Sequence, residues 1–238
     1  MKNLKVVGVL LVFSFVAACA TVDTEDVLPR SGAHYKIGVA YLNENKVQQA
    51  FVEFQKAIEL NPNDKEVLNA IGIIYLQHFD ETQKAIEFFE RAVKVDPLYS
   101  EAYNNLGFAH YKLGNFETAI SFYKKSLSNL IYSTPEKSFI NLGNAYYRMG
   151  KYDLALYSYK EAIKRAPNLS LAYLRLALCY NAMGKYGDAS AAMTQAIVID
   201  PDYKGNKEKL IEDFSTRRFR VSGYEEQDIK DYLEILKY

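Results

Sequence analysis

Two thiols and three imidazoles are the side chains of this 238-residue sequence best suited to nucleophilic or metal chemistry: Cys19, Cys179, His34, His78 and His110. A zinc site needs histidines one helical turn apart or cysteines paired at short spacing. Here the histidines stand 44 and 32 residues from one another, and neither cysteine has a partner nearby. Two cysteines also cannot form a disulfide framework. Cys179 falls between Leu178 and Tyr180, where a buried, inert thiol is the default. No glycine-rich loop precedes a helix to cradle phosphate, and the carboxylates are scattered rather than paired. The residues therefore predict no catalytic centre, metal, cofactor or small-molecule substrate. Lys plus Arg and Asp plus Glu balance at 29 each, so no basic field favours nucleic acid.

Cys19 calls for a different chemistry. Lys2 and Lys5 precede an apolar run from Val6 to Val16, shorter than the roughly 20 residues that span a bilayer. A positive start and a run of this length suit a secretory signal. The segment Val16-Ala17-Ala18-Cys19 resembles a bacterial lipobox. That resemblance implies cleavage after residue 18 and acylation (palmitate among the chains) of Cys19. An ordinary signal with an incidental cysteine is the alternative, and the position of Cys19 favours acylation. Several acyl chains anchor stably, at about 0.8 kcal/mol per buried methylene. Ala20 stands where an inner-membrane retention signal would place Asp, which implies an outer-membrane location on the periplasmic face. Residues 19–31 are then the acylated cysteine and an extended tether reaching roughly 40 Å at about 3.4 Å per residue.

The elements that must position any binding surface come from a repeat. Pro62 and Pro97 are 35 residues apart, and Pro167 and Pro201 are 34 apart, close to the tetratricopeptide length. Within that register Gly38, Gly72, Gly107 and Gly143 recur, with Ala177 in the fifth unit. Ala50, Ala85, Ala119, Ala155 and Ala189 follow, then Phe54, Phe89, Tyr123, Tyr159 and Met193. The small residues let two helices approach, and the rings fill the space between units. Gly114, Gly150 and Gly184 fall in the turns, where positive φ is needed. His110 takes a position held by Tyr in the other units and reads as a hydrogen-bonded packing residue. The third unit departs: Ile131 stands where Pro is expected, and residues 128–135 lengthen the junction. The expected fold is an all-α, right-handed solenoid, with a signal at 1–18, five repeats over 31–203, and a degenerate sixth repeat and capping helix over 204–238. Ile229, Tyr232, Leu233 and Leu236 share one face of that last helix.

First helices line the concave face of such a stack. The usual groove positions fall on Tyr35, Val39 and Leu42; Asn69, Ile73 and Leu76; Asn104, Phe108 and Tyr111; Ile140, Asn144 and Tyr147; and Leu174, Leu178 and Asn181. This apolar, aromatic stripe with interspersed amides suits a helix or extended segment of a protein partner. Some of these side chains could instead pack on a neighbouring helix or on the tether. The eukaryotic carboxylate clamp is matched only at Asn141 and Arg175, while Asn104 and Phe108 depart from it, so binding of a free C-terminal carboxylate is not expected. The Arg217–Arg220 cluster reads as a solvated loop before a lipid or acidic-partner contact.

An acylated cysteine followed by about six such units resembles the type IV pilus assembly lipoproteins, the pilotins. The likeness is strongest at Tyr103-Asn104-Asn105-Leu106-Gly107 and at Tyr132-Ser133-Thr134-Pro135-Glu136-Lys137, within the lengthened junction. It implies a groove that binds a secretin subunit and a lipid that holds the complex at the membrane during secretin assembly. Periplasmic tetratricopeptide scaffolds that recruit peptidoglycan hydrolases or other envelope proteins are the alternative.

Overall fold

The computed structural model describes residues 24–238, so Cys19, the apolar run and the first residues of the expected tether lie outside it. Among the described residues there are twelve helices and no strand. Five pairs come first: α1 (Thr24–Asn43) with α2 (Val47–Leu60), α3 (Lys65–Gln77) with α4 (Thr82–Val95), α5 (Ser100–Lys112) with α6 (Phe116–Ser128), α7 (Pro135–Arg148) with α8 (Tyr152–Arg165), and α9 (Ser170–Ala182) with α10 (Tyr186–Ile199). Helices α11 (Lys207–Arg217) and α12 (Gly223–Ile235) complete the chain. None of the described helices is long and apolar enough to cross a membrane.

The two helices of a unit are held together by one repeated contact. A Cβ added to Gly38, Gly72, Gly107 or Gly143 would lie 2.5 Å from the ring of Phe54, Phe89, Tyr123 or Tyr159 respectively. The ring of each second helix therefore rests directly on the backbone of the first. In the fifth unit Ala177 and Met193 hold the equivalent places, and the flexible thioether yields where a ring could not. The alanine columns are fully buried alongside.

Turns and junctions follow the same economy. Gly114, Gly150 and Gly184 have φ of 77°, 69° and 72°, and Asn45 and Asp80 take the same left-handed place in the first two units. At unit ends the side chains of Asn61, Asp96, Asn129 and Asp200 accept hydrogen bonds from the backbone N–H two residues on. Asn129 does this without a following proline. Helix α6 is one residue shorter than the other second helices, so Leu130, and not Ile131, occupies the proline place.

The expected tether is corrected at its C-terminal end. Helix α1 already includes Thr24–Ser31, with Pro29 in its second turn. The hydroxyl of Ser31, 1% exposed, donates to the Ala57 carbonyl at 3.0 Å and ties this turn to α2. A second departure lies at the other end. Helix α12 does not pair closely with α11 as a sixth unit would; it folds back chiefly on α9, with α10 and α11 flanking it.

Candidate protein-binding groove

Adjacent first helices touch one another, α3 with α5, α5 with α7 and α7 with α9, so they form the inner, more tightly curved layer. The expected groove residues all lie on this layer, but the chain uses them in three ways. Tyr35, Val39, Leu42 and Ile73 are half-buried over the cores of the first two units. Leu76, Ile140 and Leu178 are buried, the last at 1% exposure, so they support the surface rather than present it.

The asparagines expected to meet a partner's backbone are engaged within the stack. Asn105 Nδ2 donates to Asn69 Oδ1 at 2.8 Å, and Asn141 Nδ2 donates to Asn104 Oδ1 at 3.0 Å. Ser138 Oγ donates to the same Asn104 oxygen at 3.0 Å and contacts Ser126 Oγ at 2.8 Å. Asn144 Oδ1 accepts from Tyr159 Oη at 3.0 Å. This ladder runs from one unit to the next and satisfies buried polar atoms that would otherwise weaken the core. It leaves an apolar shelf beside it. A cavity of about 520 Å³ opens over Phe108, Asn104, Asn105, Ile140 and Asn141, flanked by Gln77, Glu136, Lys137, Leu169 and Leu171.

The C-terminal half of the groove is filled by α12. Ile229, Tyr232, Ile235 and Leu236 are buried in one cluster with Leu176 and Leu178, and Tyr111, Tyr147 and Leu174 pack against it. The Tyr224 ring lies tilted beside Phe116, at 6.2 Å between centroids, and under the Arg148 guanidinium. Tyr238 Oη lies 3.4 Å from Asn181 Oδ1. At the centre, Asp228 Oδ2 accepts from Arg148 Nη2 and Arg175 Nη1, each at 2.5 Å, and Arg148 Nε donates to Tyr111 Oη at 3.0 Å. Burial opposes the charge on both guanidiniums; Asp228 favours it on Arg148, and Tyr232 together with Asp228 favours it on Arg175. Burial, with the charge of Asp228 added, raises the carboxyl of Asp231. This half of the groove thus holds a side-chain carboxylate of its own.

Comparison with known proteins agrees with the repeat register. The tetratricopeptide repeat family matches residues 31–64 and 53–87, the TPR repeat matches 81–114, and the Cilia and flagella-associated protein 70 C-terminal domain matches 98–205. The chain is a tetratricopeptide-repeat protein. Anaphase-promoting complex subunit 3 of Schizosaccharomyces pombe is 39% identical over 27% of this chain and 10% of its own length. The type IV pilus assembly protein PilF of Pseudomonas aeruginosa is 26% identical over 44% of this chain and 41% of its own length. The chain thus spans about a tenth of the first of these relatives and about two-fifths of the second. Among solved structures, the type IV pilus biogenesis factor PilW superposes with a TM-score of 0.68 at 21% identity, over 85% of this chain and 90% of that one. The structure of Pseudomonas aeruginosa PilF gives 0.67 at 20% identity, over 88% and 90%. At these identities the likeness shows the fold.

Within the tetratricopeptide stack Cys179 and His110 are explained by packing, His34 pairs with Glu53, and His78 is exposed. Cys179 is buried, its Sγ 3.2 Å from the Tyr152 carbonyl oxygen, and burial pushes the thiol up to about 11. It is thus kept from forming a nucleophilic thiolate near neutral pH. His110 stacks on Phe122 at 5.4 Å, but its Nδ1 is buried with no partner among the described residues. It is a packing residue, though not the hydrogen-bonded one expected. The described residues contain no cluster of three or more His, Cys, Asp or Glu side chains able to hold a metal. The matched families are helical-repeat families, typically non-catalytic scaffolds for protein partners. Sequence reasoning missed Arg148 and Asp228, which stand 80 residues apart and became a pair only through the back-folding of α12. The one signal for the pair was an Asp beside the apolar face of that helix.

Proposed function

We propose that this repeat protein is an outer-membrane lipoprotein, anchored through Cys19, whose groove binds a secretin subunit during type IV pilus assembly. The observation that carries the reading is a repeat stack of the same extent as PilW and PilF, matched over about nine-tenths of each of those chains. The lipobox-like Val16–Cys19 and the lengthened junction at 128–135 support it from the sequence. The binding surface in this reading is the open part of the groove, centred on Phe108, since α12 covers the remainder. The shelf is apolar and lies beside amides, which suits the apolar face of a partner segment.

The test is an unheated detergent gel of outer-membrane fractions from cells with and without the gene. Loss of the detergent-resistant secretin ring, with the monomer still present, is the expected result. Phe108→Ala should reduce the ring, and Cys19→Ser should move the protein out of the membrane fraction. An unchanged ring in the deletion sinks the secretin reading, and a scaffold for peptidoglycan hydrolases or other envelope proteins takes its place.

A further inference from the structure

The seat of α12 shows what kind of ligand the C-terminal half of the groove accepts. Its occupant is an amphipathic helix with Ile229, Tyr232 and Leu236 on one face, and with Asp228 placed one residue before that stripe. The seat supplies an apolar floor from α9 and two guanidiniums, Arg148 from α7 and Arg175 from α9, that converge on one carboxylate oxygen.

The fit is incomplete. Asp228 is 3% exposed, yet its Oδ1 has no hydrogen-bond partner among the described residues. The same holds for Arg175 Nε and for the hydroxyl of Tyr232, both buried in the same contact. Two guanidiniums converge on one carboxylate oxygen, and Asp231 of the same helix lies near enough to Arg148 to feel its charge. Phe214 of α11 stacks on Tyr232 at 5.2 Å, but the covalent link between the two helices is short and exposed. Residues 218–222 link α11 to α12 with Phe219 and Arg220 exposed, and Gly223 turns the chain at φ 62°. Across this link stands an exposed ion pair, Arg217–Glu225, of the kind that contributes little.

We propose that α12 is a resident, displaceable ligand. The seat on α7 and α9 binds in trans an amphipathic helix of a partner protein that offers a carboxylate just ahead of an apolar stripe. A partner helix competes with a tethered one, so its apparent affinity is reduced by the fraction of time that α12 is docked. The inference does not depend on which protein the partner is, and it stands if the secretin reading fails.

The test uses a fluorescein-labelled peptide with the sequence of residues 223–238 and two full-length proteins, wild type and an Ile229→Asp/Tyr232→Asp variant that undocks its own α12. The undocked variant should bind the peptide at least tenfold more tightly than wild type, and Asp228→Asn in the peptide should weaken that binding at least tenfold. Equal binding to both proteins, or no binding to the folded variant, overturns the proposal. If the variant does not fold, hydrogen exchange of the wild type decides. Exchange of residues 223–238 well before α9 and α10 supports displacement, whereas exchange only with global unfolding makes α12 a fixed cap. A concentration-dependent wild-type dimer in sedimentation assigns the seat to a second copy of this chain and also overturns the proposal.

Discussion

At the scale of single residues, the stack depends on a glycine that has no room for a methyl group. A Cβ on Gly107 would stand 2.5 Å from Tyr123 Cε1 and 2.6 Å from Cδ1, and that ring is wholly buried. Gly107→Ala should therefore cost about 1–3 kcal/mol in urea unfolding, the usual range for an overpacked core. Adding Tyr123→Met reproduces the Ala177–Met193 pair of the fifth unit and should recover part of that loss. Because the Tyr123 hydroxyl has no partner among the described residues, its removal breaks no hydrogen bond. A double variant no better than the single one would show that the ring fills more space than the thioether can replace. The sequence displays both columns, glycine and ring, but not that they touch, because contact across a helix pair is a matter of depth rather than spacing. His110 carries a second consequence. Burial lowers its pKa, only partly countered by the charge of Glu90, so the folded state prefers the neutral ring. The unfolded chain binds more protons below about pH 6.5, and stability from this group falls as pH drops through that value. His110→Tyr, which restores the side chain of the other units, should flatten the wild-type decline in stability between pH 7.5 and 5.5. A decline of the same slope in the variant would place its origin elsewhere.

At the scale of elements, the information that ends a helix is richer than the proline count suggests. The turns inside units need one left-handed residue, and glycine supplies it three times while Asn45 and Asp80 supply it twice. A left-handed conformation costs an L-residue about 1–2 kcal/mol, least for Asn and Asp. Gly150→Ala should accordingly destabilise by roughly 1 kcal/mol, and Asn45→Gly should be neutral or slightly stabilising, both read as shifts in denaturation midpoint. Equal losses from the two changes would show that the Asn45 side chain makes a contact that matters more than its φ. Reading glycines alone left these two turns unexplained, and reading prolines alone put the third junction one residue late. Asn129 does the work there through its side chain, and Leu130 and Ile131 are left 99% and 87% exposed beyond it. The start of α1 was hidden for a similar reason. Pro29 and Gly32 argue against a helix, yet Ser31 gains a buried partner, Ala57, only once α2 is in place.

At the scale of the whole molecule, a tetratricopeptide stack is nearly one-dimensional, since each unit contacts its neighbours and little else. The period read from the sequence captures that part, because local spacing determines it. Helix α12 breaks the rule, linking α7, α9 and α10 through Asp228 and a continuous apolar cluster, whereas the first unit shares a separate core with the second. Ile37 is exposed where Ile71, Leu106, Leu142 and Leu176 are buried, because no described unit precedes it. The two ends should therefore respond differently to the same treatment. Asp228→Ala leaves two guanidiniums facing each other without their carboxylate. Breaking a buried pair costs about 3–5 kcal/mol, and the partial exposure of Arg175 brings the expectation to roughly 2–3 kcal/mol. That loss should remain local. Hydrogen exchange should quicken in α9, α10 and α12 and stay unchanged in α1 to α4, since nearest-neighbour coupling fades over several units. Uniform acceleration along the chain would mean that the stack unfolds as one cooperative body, and that α12 governs the stability of the open groove as well as the half it covers.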